Sequence, residues 1–376
     1  MRTSIKIAIA SISLAGFMSC QSAANKQQAA ANSSESSPAA FSVDTLAKGL
    51  ENPWGITWIS NDKALITERK GKVLILENEK LSADTIQGLP APYLNGQSGY
   101  LDIKTHPDYA SNGWIYMTYA KKGNGGGSTS LARFKLEGNK AVEFQDLLQT
   151  LPISDATVHF GSRIVFDNDN YVYFSAGERG TKENAQDLTN DMGKVHRLKD
   201  DGTIPSDNPF VNQKGARPSI WSYGNRNIQG MTYDSKNDVI YATEHGPKGG
   251  DELNIIKKGA NYGWPVVTYG IDYNDSIISD IQVKEGIENP VHYWVPSIAT
   301  CGLLFYTGDK FPQWDGSIFS GALAKMHVAR VVQKDGKFQE EGKMLENLGR
   351  VRQVAQSPDG YIYVLTEGPG LIVKLK

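Results

Sequence analysis

Four short segments of the chain set histidine, arginine, asparagine or acidic residues among glycines, and these are the residue types that could do chemistry. They are residues 95–102, 159–163, 223–230 and 244–254. Glycine lets the backbone approach a ligand closely, and a neutral histidine such as His159 can take up a proton near neutral pH. These four segments are therefore the candidates for a polar binding site.

The composition of the chain limits what can hold these segments. Of 376 residues, 40% are hydrophobic and 21% are charged, which is ordinary for a globular protein and excludes a disordered or collagen-like chain. Lys plus Arg total 39 and Asp plus Glu total 41, so the net charge of −2 gives no reason to expect nucleic acid as a partner. The 38 glycines, 16 prolines and 17 tyrosines suit short strands joined by tight turns.

One strand pattern recurs six times, and its copies start near residues 55, 101, 163, 230, 302 and 354. Each copy is a short apolar strand, a turn of Asp, Asn, Gly or Pro, and an alternating strand of Tyr, Val and Ile, which together predict a hairpin. The spacing suits four-stranded blades, so the sequence predicts an all-β fold, a six-bladed β-propeller. A β-sandwich is the alternative, but it would not explain a sixfold repeat. We expect strands near residues 41–43 and 371–375 to close the ring.

The placement of the glycine-rich segments relative to the repeats predicts where the site lies. Three of the four segments lead into a repeated strand and the fourth leaves one, so all four can gather at the same end of the ring. A propeller does not define a function by itself. The function therefore has to be argued from these segments.

The N-terminus has the features of a processed segment. Arg2 and Lys6 precede the apolar run 7–18, which ends beside Cys20. This arrangement predicts a lipoprotein-type signal peptide over residues 1–20, with Cys20 carrying the lipid after cleavage. A plain secretory signal with an incidental cysteine is the alternative interpretation.

Residues 21–40 are mostly Gln, Ala, Asn, Ser, Glu, Lys and Pro, which predicts a flexible linker. The propeller domain is then expected over residues 41–376. The predicted location is the periplasm or the outer membrane of a bacterium, with membrane contact through the lipid anchor alone. Cys301 would be the single thiol of the folded body, and we expect it to be a small buried residue.

Several blocks of the chain resemble one family of enzymes. The Gly-Asn-Arg-Asn block at 224–227 and the Glu-His-Gly-Pro and Gly-Gly-Asp-Glu blocks within 244–252 are similar to those of the soluble quinoprotein sugar dehydrogenases. These are the glucose and aldose sugar dehydrogenases that use pyrroloquinoline quinone (PQQ). The resemblance runs from residue 53 to the C-terminus and implies a six-bladed propeller, in agreement with the repeat count.

The resemblance also implies an activity. It implies oxidation of the C1 hydroxyl of aldose sugars to lactones, with hydride passed to calcium-bound PQQ and electrons passed on to an external acceptor. His159 corresponds to the general base, and Arg226 to the residue that holds the quinone oxygens and stabilises negative charge. Taken without the resemblance, His159 is a histidine satisfied within a loop and Arg226 a member of a structural ion pair.

The resemblance further implies the ligands of cofactor and metal. PQQ carries three carboxylates, which suit the planar fork of arginine. The implied cofactor contacts are Gln97, Arg226, Asn227, Lys325, Arg350 and Arg352. The backbone carbonyls of Gly246 and Pro247 are the implied ligands of a catalytic calcium ion. Glu252, Tyr262 and Asp272 match a second, structural calcium site.

Two other functions remain open at this point. One is a calcium-dependent hydrolase of the lactonase type, whose propeller holds the metal with carboxylates and asparagine side chains. The other is a non-catalytic binding propeller, which loss of His159 or Arg226 would have favoured.

Overall fold

The computed structural model describes residues 41–376. The predicted signal peptide (1–20) and linker (21–40) lie outside these residues and stay predictions. Within the described range, no helix is both long enough and apolar enough to cross a membrane.

The described residues form 24 strands and three short helical turns. The strands are β1 Val43–Ala47, β2 Pro53–Trp58, β3 Lys63–Glu68, β4 Lys72–Glu77, β5 Lys80–Thr85, β6 Tyr100–Thr105, β7 Ile115–Gly123, β8 Gly126–Glu137, β9 Lys140–Gln149, β10 Ile164–Phe166, β11 Val172–Ala176, β12 Lys194–Leu198, β13 Ile220–Tyr223, β14 Ile228–Asp234, β15 Val239–Glu244, β16 Asp251–Ile256, β17 His292–Trp294, β18 Thr300–Phe305, β19 Ile318–Ala322, β20 His327–Lys334, β21 Lys337–Met344, β22 Arg350–Gln356, β23 Ile362–Glu367 and β24 Leu371–Leu375. The helical turns are the α-helix Tyr109–Asn112 and the 3₁₀ helices Lys182–Ala185 and Pro312–Trp314.

These strands form six antiparallel sheets of four strands each. In five sheets the four strands are consecutive in the chain, beginning with β2, β6, β10, β14 and β18, and the sixth contains β22, β23, β24 and β1. The first strand of each sheet, called the inner strand below, coincides with one of the six repeats in the sequence. The prediction of an all-β, six-bladed propeller is therefore confirmed.

The ring closes through the two ends of the domain, as predicted. Strand β1 pairs with β24, so that Val43 lies opposite Leu375. Beyond this pairing, the backbone N–H of Ser42 donates to the carbonyl oxygen of Lys376 at 2.7 Å. The sixth sheet thus takes its outer strand from the opposite end of the domain, and no separate closing element is needed.

The repeated polar turns hold the inner hairpins by local hydrogen bonds. In the turn between β10 and β11, Asp167 Oδ1 accepts hydrogen bonds from the backbone N–H groups of Asp169 and Tyr171 at 3.0 and 2.9 Å. Its other oxygen, Oδ2, accepts from the hydroxyl of Tyr173 at 3.0 Å. Aspartate stabilises a turn in this way because its short side chain reaches backbone donors two residues on. This explains why the hairpins could be recognised from the sequence.

A buried arginine lies where the inner strands converge on the ring axis. Arg163, one residue before β10, is 1% exposed. Its guanidinium donates to the carbonyl oxygens of Gln229 and Arg352, both at 2.7 Å, and to Asp102 Oδ1 at 3.3 Å. The cation is thus paired with a buried carboxylate and with two backbone acceptors.

The same guanidinium reaches the two remaining sheets. Nη2 of Arg163 donates to Cys301 Sγ at 3.6 Å, and the guanidinium carbon lies 3.9 Å from the ring centroid of Trp54. Arg163 therefore contacts an inner-strand residue of each of the other five sheets: β2, β6, β14, β18 and β22. Cys301 is buried and free, as expected from the sequence.

We predict that replacing Arg163 will destabilise the whole ring. Arg163→Met leaves the carboxylate of Asp102 buried without its cation, and breaking a buried ion pair in this way costs about 3–5 kcal/mol. Urea denaturation followed by tryptophan fluorescence measures the loss. The matched control is Lys257→Met, which removes one side of the exposed Lys257–Glu288 pair (2.6 Å) and should cost less than about 1 kcal/mol. Equal losses in the two variants would contradict a central role for Arg163.

Candidate active site

A cavity of ≈ 270 Å³ opens at the end of the ring where the inner strands begin. Of the predicted site residues, four line this first cavity: Gln97, Asn227, Arg350 and Arg352. Gln229, from the segment 223–230, also lines it, as do Arg69 and Glu367, which lie outside the four segments. Three arginines face one carboxylate there, so the first cavity carries an excess of positive charge.

Two of the arginines share the carboxylate of Glu367. Arg352 donates from Nε and Nη2 to Glu367 Oε1 at 2.9 and 2.7 Å, and Arg350 donates from Nε to Oε2 at 3.3 Å. Burial by itself would raise the pKa of Glu367, but the two guanidinium groups outweigh it and lower the pKa. Arg350 and Arg352 point into one cavity from β22, as their spacing of two residues predicted. The side chain of Arg350 is 49% exposed and open to a ligand.

His159 is held beside this cavity by contacts at both its backbone and its ring. Its N–H donates to Gln97 Oε1 at 2.9 Å, and its ring Nδ1 lies 2.6 Å from Glu178 Oε1. The backbone of His159 has a φ of 56°, a left-handed conformation that is uncommon away from glycine and is concentrated at functional sites. Among residues 41–376, ring Nε2 has no hydrogen-bond partner, so it is the atom left for a substrate.

The pKa of His159 is lowered from its ordinary value. Burial is the main cause, and the positive charges of Arg226 and Arg179 act in the same direction. The hydrogen bond and the charge of Glu178 oppose them, because a carboxylate stabilises the protonated ring. The ring is therefore neutral near neutral pH and has a carboxylate in place to stabilise it once it is protonated.

Glu178 is a site residue that sequence reasoning missed. It is 1% exposed and follows β11, between Gly177 and Arg179. A Cβ on Gly177 would lie 2.3 Å from the carbonyl oxygen of His159, so glycine is required for the two segments to approach. Residues 177–180, Gly-Glu-Arg-Gly, have the same glycine-rich character as the four segments that were recognised. That character is the signal that could have found Glu178.

Arg226 lies beside the first cavity and contacts the loop predicted to bind calcium. Its backbone N–H donates to Glu244 Oε2 at 2.6 Å, and its Nη1 donates to the carbonyl oxygens of His245 and Gly246 at 3.2 and 3.3 Å. Its guanidinium carbon is 5.4 Å from the ring centroid of Trp264. Arg226 is thus fixed by several contacts, and one of them uses the carbonyl oxygen that was predicted as a metal ligand.

The loop that presents Gly246 and Pro247 is anchored by one buried aspartate. Asp251 Oδ1 accepts from the N–H of Gly246 at 2.9 Å and from the hydroxyl of Ser297 at 2.8 Å. Its Oδ2 accepts from the N–H groups of Ile298 and Thr300, at 2.9 and 3.2 Å. A carboxylate that accepts four hydrogen bonds within the protein is a structural anchor, and it fixes where the carbonyl groups of residues 246 and 247 lie.

Two carboxylates meet in a small acidic pocket near that loop. Glu244 and Glu252 line it together with Tyr262. Burial raises the pKa of Glu244 to about 7, and burial together with the charge of Glu244 raises the pKa of Glu252 well above its ordinary value. Two buried acids side by side are costly when both are charged, and a cation between them would remove that cost.

Of the remaining predicted metal and cofactor residues, Tyr262 lines the acidic pocket, whereas Asp272 and Lys325 line neither pocket. The hydroxyl of Tyr262 donates to the carbonyl oxygen of Ile255 and accepts from the backbone N–H of Lys257. The backbone carbonyl of Tyr262 is therefore the oxygen left for a metal. Asp272 does not line the acidic pocket and pairs with Lys182 at 3.0 Å. Lys325 is exposed and does not line the first cavity. Across residues 41–376, no three histidine, cysteine or acidic side chains gather as a metal cluster.

The comparisons with known proteins agree with this geometry. The model of the Glucose / Sorbosone dehydrogenase family matches residues 50–374, which is almost the whole described domain. The chain belongs to the Glucose / Sorbosone dehydrogenase family. The predicted membership in a family of sugar dehydrogenases, and the prediction of an oxidoreductase, are thereby confirmed.

Several members of this sugar dehydrogenase family resemble the chain over nearly its full length. Aldose sugar dehydrogenase YliI of Escherichia coli is 39% identical, over 90% of this chain and 93% of the relative. The crystal structure of the soluble Escherichia coli enzyme in the apo form has a TM-score of 0.86 and covers 90% of this chain and 99% of that one. The PQQ-bound aldose sugar dehydrogenase of Streptomyces coelicolor has a TM-score of 0.74 and is 26% identical, over 90% of this chain and 99% of that one.

We predict that Glu178 controls the protonation of His159. Glu178→Gln removes the carboxylate that favours the protonated ring, so the pKa of His159 should fall further below its ordinary value. The titration of the His159 ring protons by NMR measures this change. Glu183→Gln is the matched control, because Glu183 is exposed in the neighbouring 3₁₀ helix. An unchanged His159 titration in Glu178→Gln would contradict the assignment.

Proposed function

We propose that this protein oxidises the C1 hydroxyl of an aldose sugar to the lactone, using PQQ and passing the electrons to an external acceptor. The observation that carries the proposal is the His159–Glu178 contact, 2.6 Å long, beside a cavity rich in arginine. The relatives named as aldose sugar dehydrogenases support the substrate class. They also weigh against the lactonase-type hydrolase and the non-catalytic propeller.

The charges and walls of the first cavity fit PQQ. A tricarboxylate needs several cations, and Arg69, Arg350 and Arg352 supply three guanidinium groups against the single carboxylate of Glu367. Aromatic side chains of Trp54 and Phe160 contribute apolar wall area for a flat ring system. Gln97 and Asn227 would add polar contacts to the same ligand, whereas Lys325, being exposed, would reach it only if its loop moved. When bound, PQQ supplies the hydride acceptor.

His159 would act as the general base. Its Nε2 is free of protein partners among the described residues, and a C1 hydroxyl within hydrogen-bond reach would give its proton to that atom. Glu178 would hold Nδ1 and stabilise the imidazolium that forms, in the manner of a base–orienter pair. Arg226 would stabilise negative charge as it develops on the bound oxygens.

Calcium ions complete the proposal. Calcium takes oxygen ligands, including main-chain carbonyls, and the carbonyl groups of Gly246 and Pro247 are held in place by the Asp251 anchor. A catalytic ion at this loop would depend on those carbonyls and on ligand oxygens. The second, structural ion would be held at the acidic pocket by Glu252 and the carbonyl of Tyr262. Asp272 would join that site only if it left Lys182.

We predict that His159→Gln lowers turnover by about 10² to 10⁴, the usual effect of removing a general base. PQQ binding, measured by fluorescence quenching, should persist, because Arg350 and Arg352 are untouched. His245→Gln is the companion variant. His245 Nε2 bonds to the carbonyl of Thr300 at 2.8 Å, so its loss should first weaken calcium or PQQ binding by disturbing the loop. Normal turnover in His159→Gln, with an inactive but PQQ-loaded His245→Gln, would mean that the two roles are exchanged.

We also predict that chelation abolishes sugar oxidation by the PQQ-loaded protein and that calcium restores it. Lys248→Ala is the control, because its side chain pairs with Asp275 at the surface and only backbone carbonyls of that loop are proposed as ligands. The variant should therefore keep the calcium affinity of the parent, measured by calorimetry on the chelator-treated protein. Full activity after exhaustive chelation would exclude a catalytic calcium ion.

A further inference from the structure

A second cavity, of ≈ 420 Å³, opens at the opposite end of the ring. It is lined by the later residues of the inner strands, whereas the first cavity is lined by the earlier ones. In β14, for example, Gln229 lines the first cavity and Thr232 the second. Asp102, held by Arg163, lines the second cavity, so the buried ion pair lies at its inner end. Nothing in the proposed oxidation uses this second cavity.

The second cavity contains one lysine whose charge is not balanced. Lys104, on β6, lines it, and its ammonium group has no hydrogen bond or ion pair with any of residues 41–376. Asp102 is the one acidic residue among the lining residues. Both carboxylate oxygens of Asp102 already accept hydrogen bonds, Oδ1 from Arg163 and Oδ2 from the N–H of Ile164 at 3.0 Å. The second cavity therefore carries an excess positive charge at Lys104.

The surroundings of Lys104 strengthen the attraction for an anion. The side chain of Lys104 is exposed to the cavity. Desolvation by the surrounding protein lowers its pKa, the charge of Asp102 opposes this, and the charge of Arg163 acts in the same direction as the desolvation. A recess with low-dielectric walls and one sign of charge concentrates the field on counter-ions. A bound anion would supply the negative counter-charge that Lys104 lacks.

The remaining polar groups of the second cavity are neutral and suit hydroxyl groups. Threonine hydroxyls and glutamine amides from five inner-strand regions line it: Thr57, Thr105, Thr232, Thr307, Gln353 and Gln356. Gln353 Oε1 is buried without a hydrogen-bond partner among the described residues. Gln356 Oε1 accepts from the N–H of Thr307 at 3.1 Å, which leaves its amide N–H₂ group for a ligand. These groups donate and accept, as a polyol requires.

We propose that the second cavity binds a small polyhydroxylated monocarboxylate, a sugar acid, with its carboxylate on Lys104. One ammonium group matches one carboxylate, whereas phosphate is usually bound by several cations or by a cluster of backbone N–H groups. The neutral hydroxyl and amide groups match the hydroxyls of the acid. Hydrolysis of a sugar lactone yields such an acid, but the binding site stands on the residues of this cavity and does not depend on the proposed oxidation.

Calorimetric titration of the folded chain with D-gluconate tests the proposal. We expect one gluconate per chain. Glucitol lacks the carboxylate, so it cannot form the charge-assisted hydrogen bond with Lys104. Acetate lacks the hydroxyl groups, so it cannot form the neutral hydrogen bonds. Each should therefore bind at least about tenfold more weakly than gluconate. Equal binding of glucitol, or tighter binding of inorganic phosphate than of gluconate, would overturn the sugar-acid assignment.

A pair of variants locates the site. Lys104→Met keeps the length of the side chain without its charge and should weaken gluconate binding at least about tenfold. Lys236→Met removes an exposed charge in the turn after β14, at the same end of the ring, and should leave the affinity unchanged. Thermal unfolding checks that both variants are folded. Undiminished gluconate binding in Lys104→Met would overturn the proposal of a sugar-acid site. That result would leave the separate proposal of sugar oxidation untouched.

Discussion

The guanidinium of Arg163 is the constraint on which the rest of the ring depends. A planar group with five N–H donors can satisfy acceptors in several directions at once. Here its hydrogen bonds reach Asp102, Gln229, Cys301 and Arg352, and its face lies on Trp54. Burying a cation is costly unless it is fully paired, so these partners must stay where they are. The inner strands are thereby fixed at the axis, and the cluster lies between the two cavities, since Trp54, Gln229 and Arg352 line the first and Asp102 lines the second.

The same cluster forms the floor of the first cavity. The carbonyl of Arg352 accepts from Arg163, while its side chain donates to Glu367 and, at 2.8 Å, to Gln229 Oε1. One residue therefore serves both the central ion cluster and the cavity that the proposed cofactor would occupy. A rigid floor of this kind holds arginines in position before a ligand arrives, which reduces the ordering that binding must otherwise impose. The contacts that stabilise the ring axis therefore also set the positions of the arginines that would bind the ligand.

The sequence predicted those features that depend on local chemistry. The repeats were readable because each polar turn, such as the one around Asp167, is stabilised by hydrogen bonds within a few residues. The gathering of Gln97, Asn227, Arg350 and Arg352 followed from family resemblance. Glu178 was missed because its contact with His159 spans 19 residues and depends on the close approach at Gly177. The role of Arg163 was missed as well, because its partners come from five different sheets.

The pairing of β1 with β24 has a consequence for the folding of the protein during its synthesis. The Ser42 and Lys376 contacts are separated by 334 residues, so at 5–20 residues per second β1 waits roughly 20 to 70 seconds for its partner to be synthesised. Contacts this distant in sequence form late, because the loop between them must be closed first. The ring thus cannot close on the ribosome before the last residues emerge. A chain that is still being synthesised therefore cannot close its ring. An unclosed ring is the state that the predicted export across a membrane would require.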